Sequence, residues 1–346
     1  MKKAEQVAAS PRIMAAAMLI LAPFAASAVD VAVSGQVNRV IMGIDNGDES
    51  GVVHADNSTS GTRFRFTGSG DLENGMTAGV VYETQLQSNP SDKIDIDNID
   101  SDGVGGNVGG GDYFSNRVAT IWMKGDFGKV TMGQGSGATD GSAEIDDSGT
   151  AVIQYSSASG DLLGSMEFGD SGVTVGDVRS NFDGLSRNDN IRYDAAIGDF
   201  NLAASFGNGY KKEAAALYAI DKFKIKFGVW DEDDSGNGNT GAAVSATWTA
   251  DSGVNLTGAY SGDDRDDDPR NVYLKLGYKT GIHAFGIDYG ETTDLGPGDS
   301  ESYSIAWVGS MMQGLELYAS YRVQTLDDVS GADDIDALAA GARIKF

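Results

Sequence analysis

Sixteen segments of this 346-residue chain alternate apolar and polar side chains with a period of two, and this pattern constrains the fold most strongly. A period of two gives a β-strand one apolar face and one wet face. The alternation is clear over 315–325, and the final segment ends on Phe346 with Ile344 and Leu338 on its apolar parity. The predicted strands cover residues 31–43, 62–71, 76–87, 115–124, 129–135, 190–197, 200–207, 214–220, 223–230, 241–250, 253–260, 270–279, 282–290, 300–310, 315–325 and 338–346.

The connections between these segments alternate between short turns and long polar loops. Short turns such as 73–75, 125–128 and 280–281 are followed by longer loops such as 88–114 and 326–337. An even strand number, with short turns at one rim and long loops at the other, is typical of outer-membrane barrels. We therefore predict an all-β protein, a transmembrane 16-stranded antiparallel β-barrel closed by pairing of its last strand with residues 31–43. A soluble all-β secreted protein is the alternative.

The first 28 residues have the features of a cleaved signal peptide. Lys2, Lys3 and Arg12 precede an apolar run over 13–24, and an A-x-A motif ends at Ala28. The apolar run is too short to span a bilayer, which takes about twenty residues. We therefore expect export from the cytoplasm, followed by one barrel domain over 29–346 in the outer membrane.

The composition excludes several other functions. Removal of residues 1–28 leaves 22 basic and 50 acidic side chains, a net charge of −28, which argues against nucleic acid as a partner. The chain has no cysteine, hence no disulfide and no thiolate metal site. Its two histidines, His54 and His283, pair by spacing with no nucleophile, so we do not expect an enzyme.

Two acidic segments resemble the first half of an EF-hand loop but do not complete it. They begin at Asn98 and Asp231, and the twelfth position, where a calcium loop carries Glu, is Gly109 or Ala242. We therefore expect neither a metal site nor a cofactor. Loose bridging of divalent cations between the acidic outer loops and lipopolysaccharide is the remaining role for these segments.

One long connection, residues 136–186, breaks the pattern of loop lengths. A loop of roughly fifty residues inside a compact domain is usually functional. The lumen of a sixteen-strand barrel is an aqueous channel too wide for side chains to fill, so a loop folded inward would narrow it. The sequence therefore predicts that this third long loop controls the width of the channel.

The chain resembles the Gram-negative general diffusion porins, the trimeric sixteen-stranded outer-membrane family. The resemblance rests on the order and spacing of the segments VSGQV (33–37), TRFRFTG (62–68), NRVA (116–119), GKVTMGQ (128–134) and RNDNIRY (187–193), together with Phe346. It implies a homotrimer and an inward third loop that forms a constriction. It also implies that Phe346 is part of the signal read by the barrel-assembly machinery.

The same resemblance implies acidic side chains on the loop at the constriction. Porins of this kind often carry a Pro-Glu-Phe-Gly-Gly segment there, and MEFGD (166–170) keeps its Glu and Phe. Glu167 is therefore the first candidate. The further acidic candidates are Glu144, Asp146, Asp147, Asp161 and Asp170.

A basic ladder on the facing wall is the second implication, at positions Arg63, Arg117 and Arg187. Phe64 and Phe66 point to lipid by parity, so Arg63 and Arg65 point to the lumen. A lipid-facing Arg at mid-membrane would cost about 2–4 kcal/mol. Arg117 faces the lumen if Val118 and Trp122 face outward. Arg187 shares the parity of Ile191 and needs a β-bulge, so Arg192 is its alternative.

These features predict passive diffusion of small hydrophilic solutes and ions. The net charge favours a mild preference for cations, although the arginines oppose it. The alternative is a substrate-selective channel or a surface receptor, suggested by a track of lumen lysines at Lys224, Lys226, Lys275 and Lys279.

Overall fold

The computed structural model describes residues 30–97, 106–107, 114–154, 161–232 and 238–346. The predicted signal peptide and the acidic residues 98–103 of the first EF-hand-like segment lie outside these ranges. No helix in the described ranges is long and apolar enough to cross a membrane. The helices are α1 (Val175–Val178) and three short 3-10 turns, Ser58–Ser60, Ser91–Lys93 and Asn208–Tyr210.

The rest of the regular structure is β-strand. The strands are β1 (Asp30–Asp45), β2 (Ser50–Asp56), β3 (Arg63–Asp71), β4 (Thr77–Leu86), β5 (Ile94–Asp95), β6 (Gly106–Asn107), β7 (Phe114–Gly125), β8 (Gly128–Ser136), β9 (Arg187–Ile197), β10 (Phe200–Gly207), β11 (Lys211–Ile220), β12 (Phe223–Glu232), β13 (Thr240–Thr249), β14 (Val254–Asp263), β15 (Arg270–Thr280), β16 (His283–Gly296), β17 (Gly298–Met312), β18 (Leu315–Leu326) and β19 (Ile335–Lys345).

The large sheet closes on itself as a barrel of sixteen antiparallel positions. Strand β1 pairs with β19 along one edge, and its other edge pairs with β3 in its first half and β2 in its second. Strands β2 and β3 therefore fill one position in the wall. The backbones of Gly35 and Phe346 exchange hydrogen bonds of 2.9 and 3.1 Å beside this closure. The predicted sixteen-stranded antiparallel barrel is confirmed.

Two stretches between the predicted strands contain strands of their own. Residues 44–60 lie between the first two predicted strands, yet β2 forms there and pairs with the C-terminal half of β1. Its Val53 and Ala55 are buried, which explains why this short segment pairs instead of staying in solvent. Strands β5 and β6 pair with each other in a separate two-stranded sheet that is not part of the barrel wall.

The outer face of the wall is apolar. Leu274, Ile287 and Ile305 lie on this face in consecutive strands, and Leu338 is 63% exposed beside the closure. Exposed apolar rows of this kind suit a lipid environment. The aromatic side chains that share this outward exposure include Tyr82, Tyr193, Trp248, Tyr260, Tyr321 and Phe346.

Trp122 does not face outward, which was the condition predicted for an inward Arg117. Ile121 is exposed on the outer face, so its neighbours Thr120 and Trp122 lie on the inner face. The Lys129 ammonium stands 5.3 Å from the Trp122 ring centroid, a cation–π contact. The prediction was wrong because a β-bulge in β7 shifts the parity of the residues that follow it.

The main hydrophobic core lies inside the barrel, between the wall and the segment 137–186 that joins β8 to β9. From this segment come Ile153, Leu163, Met166, Phe168 and Val175, all with less than 2% of their surface exposed. They cluster with inner-face side chains of the wall. Those wall residues include Val40, Met42 and Ile44 of β1, Tyr318 of β18, and Ile335, Ala337 and Ala339 of β19.

We predict that Phe168→Ala releases the segment 137–186 without unfolding the barrel. Loss of a buried Phe side chain costs about 3–5 kcal/mol, and here that cost falls on the contact between segment and wall. Limited proteolysis should then cut within 137–186, while the heat-modifiable gel mobility of the barrel stays unchanged. The control is Phe227→Ala, which removes a lipid-facing ring of the same size and should leave the segment resistant.

Candidate functional site

A cavity of about 890 Å³ lies where the segment 137–186 meets the wall. Charged side chains of both signs line it, and the wall supplies the acids Glu232 and Asp263 as well as basic residues. The wall contributes Arg63, Arg117, Arg187 and Arg343. The segment contributes Asp140, Glu144, Asp161 and Asp183.

The carboxylate of Glu83 on β4 contacts three arginines of the wall, two of which line the cavity. Its carboxylate, with 4% of the side chain exposed, lies 2.6 Å from Arg65 Nη2, 3.0 Å from Arg117 Nε and 3.9 Å from Arg63 Nη1. Three guanidiniums around one carboxylate leave a net charge of about +2 at this part of the wall. The predicted inward orientation of Arg63 and Arg65 agrees with these contacts, although Arg65 is not among the residues that line the cavity.

Arg117 reaches the lumen through a β-bulge. In the pairing of β4 with β7, Thr84 lies opposite Asn116 and Glu83 opposite Val118, which leaves Arg117 as the extra residue. Val118 therefore faces inward together with Arg117. The sequence prediction placed Arg117 in the lumen on the condition that Val118 faces outward. Arg117 does face the lumen, but Val118 does not face outward.

Arg187 and Arg192 occupy different places. Strand β9 begins at Arg187, and its register with β8 runs from Ser136 opposite Arg187 without the predicted bulge. Arg187 instead lines the cavity from the strand end. Arg192 lines a second cavity of about 730 Å³, where Asp194 holds it at 2.7 Å and its Nη1 donates to the carbonyl of Gly137 at 2.6 Å.

Two of the predicted acids line the main cavity, and Asp183 joins them. Glu144 accepts a hydrogen bond from Asn181 Nδ2 at 2.5 Å, and the carbonyl of Asp161 accepts one from Ser91 Oγ at 2.9 Å. The Asp183 carboxylate accepts from the backbone N–H groups of Gly141 and Ala143. Burial, and then the charge of Glu144, raise the pKa of Asp183 well above its usual value.

Asp146 and Asp147 fix the segment to the wall instead of lining the cavity. Asp146 forms an ion pair of 2.6 Å with Lys275, and the two side chains are 3% and 0% exposed. Asp147 lies 2.8 Å from Lys224. Lys226 Nζ donates to the carbonyl of Asp140. Three of the four lysines in the predicted anion track are therefore bound to the segment 137–186.

Glu167 and Asp170 lie at another part of the segment. The backbone N–H groups of Gly169 and Asp170 donate to the carbonyls of Asn46 and Gly331 in other loops, and the carbonyl of Glu167 accepts from Asn46 Nδ2 at 3.3 Å. Burial, and then the charges of Asp95 and Asp97, raise the pKa of Glu167. Neither Glu167 nor the exposed Asp170 is among the residues that line the cavity.

Glu83, Asp183 and Arg343 are residues of the site that the sequence patterns did not predict. Glu83 had a detectable signal, since a charged residue in the middle of a barrel strand is costly unless it faces the lumen. Arg343 had the same signal, and its partner in the structure is Glu316, 2.5 Å away. Asp183 had none, because its burial depends on the path of the loop.

Both histidines accept hydrogen bonds from neighbouring side chains. His283 Nδ1 accepts a hydrogen bond from Trp307 Nε1 at 3.2 Å, and its ring packs near Phe285. His54 Nε2 accepts from Arg39 Nε at 3.3 Å. Among the described residues, no group of three or more His, Asp or Glu side chains is arranged to hold a metal ion.

Comparison with solved structures shows the same fold in outer-membrane porins. An anion-selective porin from Comamonas acidovorans superposes with a TM-score of 0.67 at 15% identity, and the match covers 92% of this chain and all of that one. OmpT of Vibrio cholerae, in its trimer form, matches with a TM-score of 0.60 at 11% identity, again over 92% and 100% of the two chains. Likeness at such low identity establishes the fold alone.

The sequence family is established separately. The sequence model of the Gram-negative porins matches residues 15–343, nearly the whole chain. A search of the curated proteins finds no match. Members of this family are outer-membrane channels and not enzymes, and the closed barrel with its charged lumen agrees with that assignment. The chain belongs to the Gram-negative porin family.

Proposed function

We propose that this porin passes small hydrophilic solutes and ions by passive diffusion, and that the segment 137–186 forms its constriction. The observation that carries the proposal is the cavity of about 890 Å³, which wall arginines and segment acids line together. A barrel of this size encloses an aqueous channel, so the segment that occupies part of the lumen would set the width of the path.

The charges suggest how solutes are sorted. Arg63, Arg117 and Arg343 lie on wall strands, whereas Glu144 and Asp161 lie on the segment, so a transverse field would cross the water between them. In a channel with low-dielectric walls such a field is less screened than in bulk water. Polar solutes can align their dipoles in it, whereas apolar solutes would have to displace ordered water. We propose that this difference favours hydrophilic solutes.

A mild preference for cations is the finer part of the proposal. Its support is the excess of 50 acidic over 22 basic side chains in residues 29–346. The described lining of the cavity contributes little, because six basic and six acidic residues line it. We therefore propose that the preference arises at the acidic mouths of the channel. The Comamonas relative is described as anion-selective, but at 15% identity its selectivity does not transfer.

The proposed assembly is a homotrimer in the outer membrane, as described for OmpT. Outer-membrane lipid, lipopolysaccharide bridged by divalent cations at the acidic loops, and the barrel-assembly machinery are its proposed partners. A substrate-selective channel is less well supported, because Lys224, Lys226 and Lys275 are engaged by the segment 137–186 and do not form an open track.

We predict that liposomes containing the protein swell at rates that fall smoothly with the size of neutral sugars. In planar bilayers the same protein should conduct in a KCl gradient with a reversal potential of the sign expected for mild cation preference. One sugar that permeates far above the size trend would contradict a general pore. A reversal potential of the opposite sign would contradict the cation preference alone.

We further predict that Glu83→Gln shifts the selectivity towards anions. The substitution removes the carboxylate that neutralises part of the charge of Arg63, Arg65 and Arg117, so the lumen wall becomes more positive. Reversal potentials in a KCl gradient measure the shift. The matched control is Asp231→Asn, which removes one negative charge from an exposed pair with Lys212 outside the cavity. Equal shifts in the two variants would refute a special role for Glu83.

A further inference from the structure

Both ends of the segment 137–186 are held by one carboxylate on the wall. Glu213 of β11 is buried, and its Oε1 accepts hydrogen bonds from Thr139 Oγ1 at 2.7 Å and from the Leu185 backbone N–H at 3.0 Å. Thr139 belongs to the start of the segment and Leu185 to its end. One oxygen atom therefore joins the point where the chain leaves the wall to the point where it returns.

We call these contacts of Glu213 with the two ends of the segment the clamp. The second oxygen of Glu213 adds a further contact to it. Ser205 Oγ of β10 donates to Oε2 at 2.8 Å and accepts from the backbone N–H of Ala138 at 2.9 Å. All three groups that contact the carboxylate are donors, and an ionised carboxylate offers only acceptors. A hydroxyl can donate or accept a hydrogen bond, whereas the Leu185 N–H can only donate one. The clamp therefore depends on a strong acceptor at this position.

The backbone at both ends of the segment is pressed close to this clamp. A Cβ on Gly137 would overlap Glu213 Oε2, and one on Gly184 would overlap Thr139 Oγ1. Gly184 also has a φ of +92°, which side chains rarely adopt. Glycine at these two positions allows the chain to approach the carboxylate from both sides.

Near its start the segment is also held by Arg192, which donates to the carbonyl of Gly137, and by Lys226, which donates to the carbonyl of Asp140. Anchors farther along the segment include the Asp146–Lys275 ion pair, the hydrogen bonds of Gln154 to Ser304, and the donation of Arg179 to the carbonyl of Ser300. Each of these contacts holds one point of the segment, whereas Glu213 contacts both the part that leaves the wall and the part that returns to it. A small change at the ends would therefore displace the part that lines the cavity.

We propose that Glu213 is a positioning residue that sets the open cross-section of the channel. It acts through the segment 137–186 and need not touch the solute. The inference rests on the proposed function, because it assigns a consequence for permeation to a contact that could otherwise serve folding alone. It adds a specific residue, outside the cavity lining, whose loss changes the pore.

Single-channel conductance of Glu213→Ala in planar bilayers tests this proposal. Release of both ends should raise the unit conductance roughly 1.5- to 2-fold, since conductance follows the open water-filled cross-section, and should add open-channel noise. Glu213→Gln keeps a carbonyl acceptor and should give a smaller change. The control is Thr257→Val, an inner-wall hydroxyl that bonds only to Thr247 and Asn255 in the described structure.

The outcomes separate this inference from the proposed function. A merely structural role for Glu213 would lower the yield of folded protein but leave the conductance of each assembled pore unchanged, and that result would overturn the inference. If Glu213→Ala does not assemble, Thr139→Val removes only one donor to the same oxygen and should still alter conductance and noise. A wild-type protein that does not conduct would overturn the proposed function instead.

Discussion

The burial of apolar side chains between the segment 137–186 and the inner wall is the interaction on which the rest of the site depends. The outer face of a membrane barrel meets lipid and its inner face meets water, so the wall alone has no dry core. Here Phe168, Met166 and Ile153 pack on Val40, Met42 and neighbouring residues instead. Each buried side chain of this size contributes about 1.5–3 kcal/mol, which is enough together to hold a long segment in one position.

Polar contacts then decide where the packed segment lies. The buried ion pair of Lys275 with Asp146 adds little net stability, because removing two charges from water offsets most of their attraction. It does select one register, since either charge left alone in that place would be costly. The clamp at Glu213 selects the direction of both ends in the same way. Hydrophobic burial thus supplies the free energy, and polar pairs supply the position.

Much of the barrel could be predicted because strand parity is a local property of the sequence. The alternation located all sixteen wall positions, and it oriented Arg63 and Arg65 correctly from the neighbouring phenylalanines. Trp122 and the premise for Arg117 failed, because a bulge depends on how two strands pair and leaves no local signal. Strand β2 was not predicted because it has few apolar residues. It forms by pairing with the C-terminal half of β1, and this pairing is not a local property of its sequence.

The candidate site was predictable only in part. Glu144 and Asp161 line the cavity, whereas Asp146 is buried in an ion pair, and Glu167 lies beside Asp95 and Asp97. Which acid meets water depends on the path of the segment. That path follows the apolar inner patch of β1, where Val40, Met42 and Ile44 alternate with the outward Ile41 and Gly43. A strand that is apolar on both faces is the signal that something covers its inner face.

The position of the segment against the wall can be measured directly with a disulfide, because the chain contains no cysteine. A Cβ on Gly228 of the inner wall would lie 2.9 Å from Ser142 Cβ, slightly closer than the 3.5–4.5 Å typical of a disulfide. In the folded double variant Ser142→Cys/Gly228→Cys, mild oxidation should form this bond within one chain. Failure of the bond to form in folded, membrane-inserted protein would contradict a segment packed on the inner wall.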